Sequence, residues 1–94
     1  LPTRLTLTGN YPHPFNPLTN ISFALPSQQP VQLSVYDVQG RLVTTLIDEV
    51  LASGPHSVTW TGRDSQGRGV SSGTYFYRLR ADGQTLTGKM LLMK

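Results

Sequence analysis

Cysteine is absent from the 94-residue chain. This excludes a disulfide framework, a thiolate nucleophile, a cysteine-ligated zinc site and an iron–sulfur centre. Histidine is scarce, with only His13 and His56, so most metal sites and acid–base pairs are excluded too. No apolar run approaches the roughly 18–20 residues of a membrane-spanning helix, and the N-terminus lacks the pattern of a signal peptide. We therefore expect a soluble chain or a piece of a longer exported one.

Charged residues are also few, at 14% of the chain, and the net charge is only +3. Lysine and arginine do not cluster, so the sequence does not predict a nucleic-acid partner. Hydrophobic residues make up 37% of the chain, which is too many for a disordered tail. The length allows one compact domain, and we expect it to be a monomer.

Alternation of apolar and polar residues predicts six or seven short β-strands and no convincing helix. Residues 48–53 carry the only helical pattern, and six residues are too few for a stable helix. Strands separated by turns at this spacing predict an all-β fold, an immunoglobulin-like antiparallel β-sandwich of about seven strands with Trp60 in its core. The predicted strands cover residues 4–8, 20–25, 31–36, 42–47, 56–60, 74–81 and 85–94.

Three of the five acidic residues lie beside turn glycines. Asp37 to Gly40 and Asp64 to Gly67 each have the composition of a tight turn, and Asp82-Gly83 is typical of a two-residue hairpin. Because turn formation already explains these aspartates, a catalytic pair of carboxylates is not indicated. We predict no enzymatic activity, no cofactor and no metal site.

Residues 10–17 (NYPHPFNP) are the most unusual segment, since three prolines in six residues cannot belong to a central strand. In the structural interpretation, Tyr11 and Phe15 close the open end of the sandwich. In the functional interpretation, the segment is a proline- and aromatic-rich recognition loop.

The last predicted strand, residues 89–94 (KMLLMK), has apolar residues at both parities. A strand with one face in water should alternate. Either Met90 and Leu92 or Leu91 and Met93 must therefore be covered by something other than the main core. We expect a neighbouring domain or a partner to contact this strand, with Lys89 and Lys94 at its two ends.

Five blocks of the chain resemble a known family. They are residues 10–21 (NYPHPFNPLTNI), 35–43 (VYDVQGRLV), 54–60 (GPHSVTW), 62–79 with its GRDSQG and SGTYFYRL runs, and 89–94. Together they resemble the type A C-terminal sorting domain of the type IX secretion system, which is similar to the Ig-like domain of flagellar hook-capping proteins. His13 and Thr61 depart from the usual Asn and Asp. The structural motif residues carried over are Asn10, Pro12, Pro14, Phe15, Asn16, Pro17, Asp37, Gly40, Trp60, Gly73 and Tyr75.

The resemblance implies a non-catalytic module of a larger secreted protein, often a glycoside hydrolase or peptidase. Residues 1–9 would be a linker or first edge strand, and residues 10–94 the sorting domain. The implied partners are the type IX secretion machinery, its surface sortase-like peptidase and the parent catalytic domain. The implied route runs through the periplasm to the cell surface or the medium, and the implied recognition residues are Lys89, Met90, Leu91, Leu92, Met93 and Lys94.

Two other functions stay open at this point. One is a carbohydrate-binding module, for which Tyr11, Phe15, Tyr36 and Phe76 are the available aromatics, because Trp60, Tyr75 and Tyr77 have inward parity. The other is a structural Ig-like spacer of a secreted glycosidase.

Overall fold

The computed structural model describes residues 4–12 and 18–93, and this part of the chain is built from β-strands and turns. The all-β antiparallel sandwich predicted from the sequence is confirmed. The strands are β1 (Thr6–Tyr11), β2 (Thr19–Leu25), β3 (Gln29–Asp37), β4 (Leu42–Leu51), β5 (Gly54–Trp60), β6 (Gly73–Ala81) and β7 (Gln84–Leu92).

The seven strands form two sheets, one with the order β1-β2-β5 and the other with the order β4-β3-β6-β7. All the pairings are antiparallel. Hairpins join β3 to β4 and β6 to β7, while β2 passes to β3 and β5 to β6 across the two sheets. Strand β7 therefore lies at one edge of the four-stranded sheet, and β4 lies at the other.

The core lies between the two sheets and is filled by alternate residues of β2, β3, β6 and β7. Trp60 is 1% exposed, as predicted, and its ring packs edge-on against Tyr75 with centroids 5.2 Å apart. Fully burying a large apolar side chain stabilises a fold by about 1.5–3 kcal/mol. The core residues are Leu5, Ile21, Phe23, Leu25, Val31, Leu33, Val35, Trp60, Tyr75, Tyr77, Leu79, Ala81, Met90 and Leu92.

The hairpin of β3 and β4 is longer than the sequence predicted. Strand β4 runs on through residues 48–51, and β3 starts at Gln29, where it pairs with Leu51. Pro30 lies inside this strand although proline cannot donate to a ladder. It is tolerated because β6 pairs with β3 only from Gln32 onward, so the missing N–H is not needed on that side.

The structural interpretation of Tyr11 was wrong. Its side chain is 80% exposed at the end of the edge strand β1 and does not close the sandwich. Edge position explains the exposure, because β1 pairs only with β2. The predictions made for His13, Pro14, Phe15, Asn16, Pro17 and Lys94 lie outside the described residues.

Candidate recognition surface

Strand β7 has two apolar faces that point in opposite directions. Met90 and Leu92 are 0% and 1% exposed and belong to the core. Leu91 of β7 and Met93, which directly follows the strand, point away from the core and are 39% and 52% exposed. The ambiguity left by the sequence is thus resolved, since Leu91 and Met93 are the pair that the core does not cover.

The neighbouring strands continue this outward apolar surface. Lys89 lies opposite Phe76 of β6, and Phe76 lies opposite Tyr36 of β3. Phe76 is 37% exposed, and Leu42 of β4, opposite Tyr36, is 59% exposed. One row of side chains therefore crosses all four strands. Cross-strand neighbours of this kind lie within side-chain contact distance.

Arg78 adds charge to this surface. Its guanidinium carbon lies 4.4 Å from the centroid of the Tyr36 ring, within the range of a cation–π contact. A cleft of about 280 Å³ opens beside this pair, with Val38, Phe76 and Thr87 also in its lining. We call the surface formed by Tyr36, Phe76, Arg78, Lys89, Leu91 and Met93 the outer face.

Two turns near one end of the sandwich repeat a single design. In each, an aspartate Oδ1 accepts hydrogen bonds from the backbone N–H groups two and four residues later, and an arginine Nε faces Oδ2. The sequences are DVQGR, starting at Asp37, and DSQGR, starting at Asp64. Hydrogen bonds from the Arg41 and Arg68 backbones are the largest cause that holds the pKa of each aspartate below its usual value. The carboxylates of Asp37 and Asp64 therefore have a structural role, which is to stabilise the two turns.

Gly40 and Gly67 adopt φ angles of +82° and +81° at equivalent positions of the two turns, a conformation that favours glycine. The turns are neighbours, because the Ser65 N–H donates to the Val43 carbonyl at 3.1 Å. The two turns form a short internal repeat that the sequence-based predictions did not include. Comparing the chain with itself would have found the two D-x-Q-G-R segments.

The described part of the proline-rich segment is anchored to β2. Asn10 Nδ2 donates to Thr19 Oγ1 at 3.3 Å, and Thr19 Oγ1 donates to the Pro12 carbonyl at 2.9 Å. Thr19 is fully buried. These contacts give Asn10 and Pro12 a structural role, which is to fix the path of the chain into β2.

The loop from β5 to β6 is flanked by three of the motif residues, Trp60, Gly73 and Tyr75. Trp60 Nε1 donates to the Arg63 carbonyl at 2.9 Å, and the Tyr75 hydroxyl donates to the Ser71 carbonyl at 2.7 Å. Gly73 starts β6 with a φ of +151°. The two aromatic side chains thus satisfy loop carbonyls while their rings fill the core.

Among the described residues, no group of three or more histidines, cysteines or acids lies close enough to hold a metal ion. His56 stacks on Phe23 with ring centroids 5.5 Å apart, and its Nε2 is hydrogen-bonded to the Ala52 carbonyl at 2.7 Å. These contacts give His56 a structural role. The described part of the chain contains no helix that is long and apolar enough to cross a membrane.

Residues 15–85 match the family profile of the FlgD Ig-like domain. The chain belongs to the FlgD Ig-like domain family. FlgD of P. aeruginosa, a solved structure, superposes on the chain with a TM-score of 0.63 at 26% identity, over 93% of this chain and 67% of that one. A sequence comparison with curated proteins finds no match.

This FlgD Ig-like domain also has the fold of segments of two Porphyromonas gingivalis proteins. Latent dimeric PorU matches with a TM-score of 0.74 at 20% identity, over 98% of this chain and 9% of that chain. PorZ, an essential surface component of the type IX secretion system, matches with a TM-score of 0.63 at 18% identity, over 90% and 11%. The chain spans about a tenth of the length of each, and at these identities the likeness shows the fold alone.

Proposed function

We propose that this FlgD Ig-like domain is a non-catalytic C-terminal module of a larger secreted protein, and that the module directs type IX secretion across the outer membrane and attachment to the cell surface. The parent proteins of such modules are often hydrolases. Its partners would be the secretion machinery, a surface sortase-like peptidase and the parent catalytic domain. The five sequence blocks that resemble the type A sorting domain support this proposal, with residues 10–94 as the sorting unit. The fold shared with a segment of PorZ is consistent with it.

One observation carries the proposal. Strand β7 lies at the edge of its sheet and fills the core with Met90 and Leu92, while Leu91 and the residue after the strand, Met93, are exposed. Edge strands usually carry charges that prevent further association. An edge strand with an uncovered apolar side fits a segment that a receptor contacts after the module has folded.

Export of a fused passenger tests this proposal. The 94-residue chain behind a passenger should bring it to the cell surface in a host with type IX secretion. The Leu91→Ser/Met93→Ser double variant should leave the passenger in the periplasm. Both side chains are partly exposed, so each substitution should change the free energy of unfolding by only about 0.5 kcal/mol, and the variant should remain folded.

The same strand supplies the matched controls. Met90→Ala and Leu92→Ala remove buried side chains and should each cost about 2–5 kcal/mol of stability, so any export they lose would come with a lower melting temperature. The Lys89→Ala/Lys94→Ala variant tests the flanking charges. Normal secretion of both the Leu91→Ser/Met93→Ser and the lysine variants would contradict a sorting role for β7 and favour the spacer interpretation.

The carbohydrate-binding alternative is supported by one pair of neighbouring aromatic rings, Tyr36 and Phe76. However, the Arg78 guanidinium already covers one face of Tyr36, and sugars bind aromatic side chains through their faces. Tyr11 lies on the other sheet. The outer face therefore supports a protein contact better than a saccharide platform, and a polysaccharide binding assay with the purified module separates the two.

A further inference from the structure

We infer that the outer face is a protein-docking surface, and that its partner is a protein whose contact surface carries apolar and acidic side chains. This inference rests on the proposed export function and names the chemistry of the partner. It extends the recognition surface from the terminal strand β7 onto β6 and β3. Phe76, Tyr36 and Arg78 then become recognition residues that the sequence motifs did not single out.

The first argument is the kind of side chain that the outer face exposes. Phe76, Leu91 and Met93 are 37%, 39% and 52% exposed. Phe76 lies on β6, Leu91 lies on β7 opposite Thr74, and Met93 directly follows the end of β7. Tyr36 and Arg78 continue the surface. Aromatic residues, methionine and arginine are enriched in protein–protein interfaces, and tyrosine and arginine are frequent hot spots.

The second argument is charge. The outward positions of β6 and β7 carry three cations, Arg78, Arg80 and Lys89, while Asp48 is the acid in the cross-strand rows that contain them. Asp37, at the nearby turn, has its carboxylate occupied by turn amides and by Arg41. Basic side chains next to exposed apolar ones fit an acidic partner, since interfaces pair opposite potentials.

The same charges argue against a second copy of this chain. A twofold dimer through the outer face would bring the three cations of each copy into one interface, with Asp48 of each copy as the acid in their cross-strand rows. Juxtaposed like charges weaken an interface, and interfaces between identical copies place the same patch on both sides. A separate acidic protein is therefore the occupant that the surface favours.

The experiment compares outer-face variants with matched variants elsewhere in the same passenger fusion. Phe76→Ser and Arg78→Glu should each lower the surface-exposed fraction of passenger by about tenfold or more, as expected for hot-spot residues. Tyr11→Ser, at an 80% exposed aromatic on the other sheet, and Arg63→Glu, in the loop from β5 to β6, should leave export unchanged. If Arg78→Glu does not fold, Arg80→Glu tests the charge instead.

Each other outcome has a defined meaning. If Leu91→Ser/Met93→Ser blocks export while Phe76→Ser and the charge reversals are exported normally, this inference fails and the proposed function stands. If Leu91→Ser/Met93→Ser and Lys89→Ala/Lys94→Ala are both exported normally, the sorting role of β7 fails and, with it, the proposed function. A dimer in sedimentation equilibrium that Phe76→Ser dissociates would overturn the inference in favour of a second copy. Retention of the module on a polysaccharide, abolished by Phe76→Ser, would overturn it in favour of a saccharide.

Discussion

Gly88 of β7 determines how closely the Tyr77 ring can lie against its neighbouring strand. The two residues face each other across β6 and β7, and Tyr77 is 3% exposed. A Cβ atom on Gly88 would overlap Cζ, Oη and Cε2 of Tyr77. The glycine is therefore required by space, because the ring occupies the position of the missing side chain.

Gly88→Ala should lower the melting temperature. Reduced freedom of the unfolded chain would favour alanine by about 0.4–1 kcal/mol, but forcing a methyl group into a packed core costs about 1–3 kcal/mol. Because the Tyr77 side chain is 3% exposed and packed in the core, we expect the cost to be larger than the gain. At this chain length, each 1 kcal/mol corresponds to about 4–8 °C.

Differential scanning calorimetry measures this change, with Thr87→Ala at the adjacent exposed position as the control. Tyr77→Leu should restore part of the loss when combined with Gly88→Ala, because the two residues share one space. A melting temperature for Gly88→Ala at or above that of the wild type would show that the Tyr77 ring shifts freely.

The two D-x-Q-G-R turns are elements whose form depends on ionised aspartates. Each carboxylate accepts two backbone hydrogen bonds and faces an arginine, and the pKa of Asp37 and of Asp64 is lowered by these contacts. A lowered pKa in the folded state favours folding when the pH lies above the unfolded value, near 4. That contribution disappears as the pH falls through the folded pKa values.

The melting temperature should therefore fall as the pH is lowered from about 5 towards 2. Asp37→Asn and Asp64→Asn should each flatten this pH dependence. The amide keeps an acceptor oxygen, and it is uncharged, so it does not titrate in this range. The double variant should be the flattest of the series. Thermal unfolding followed by circular dichroism across this range checks it, and a double variant with the wild-type pH profile would disprove it.

The strands were predicted best where alternation was strict. The run from Tyr75 to Ala81 has inward and outward residues in strict succession, and β6 was placed within one residue of its observed start. Strand β4 was cut short because Asp48, Glu49 and Val50 break the alternation at an exposed sheet edge. Edge pairing with β3 extends the strand, and no local pattern carries that information.

The outer face was predictable only in part. The double parity of residues 90–93 pointed to it, but choosing between the two parities required the register of β7 on β6. The contact between Arg78 and Tyr36 joins strands β6 and β3, more than forty positions apart in the chain. Sequence alone shows which side of each strand is apolar, and pairing decides which side chains meet.

At the scale of the whole molecule, both sheets depend on one shared core. Phe23 and Trp60 come from the three-stranded sheet, and Leu33, Leu79 and Met90 come from the four-stranded sheet. Neither sheet can cover its apolar face without the other. We therefore expect the described strands to unfold together.

Trp60 can report this transition because it is the only tryptophan and is 1% exposed. Its Nε1–H is hydrogen-bonded to the Arg63 carbonyl, so the ring is fixed at the junction between the core and the loop from β5 to β6. Its fluorescence should resist acrylamide quenching in the native state. The thermal midpoint followed by Trp60 fluorescence should coincide with that of the far-ultraviolet circular dichroism signal.

A Trp60 midpoint well below the circular dichroism midpoint would mean that the β5–β6 loop end of the sandwich opens before the sheets separate. Full quenching in the native state would contradict the burial of Trp60 on which the packing of the two sheets depends.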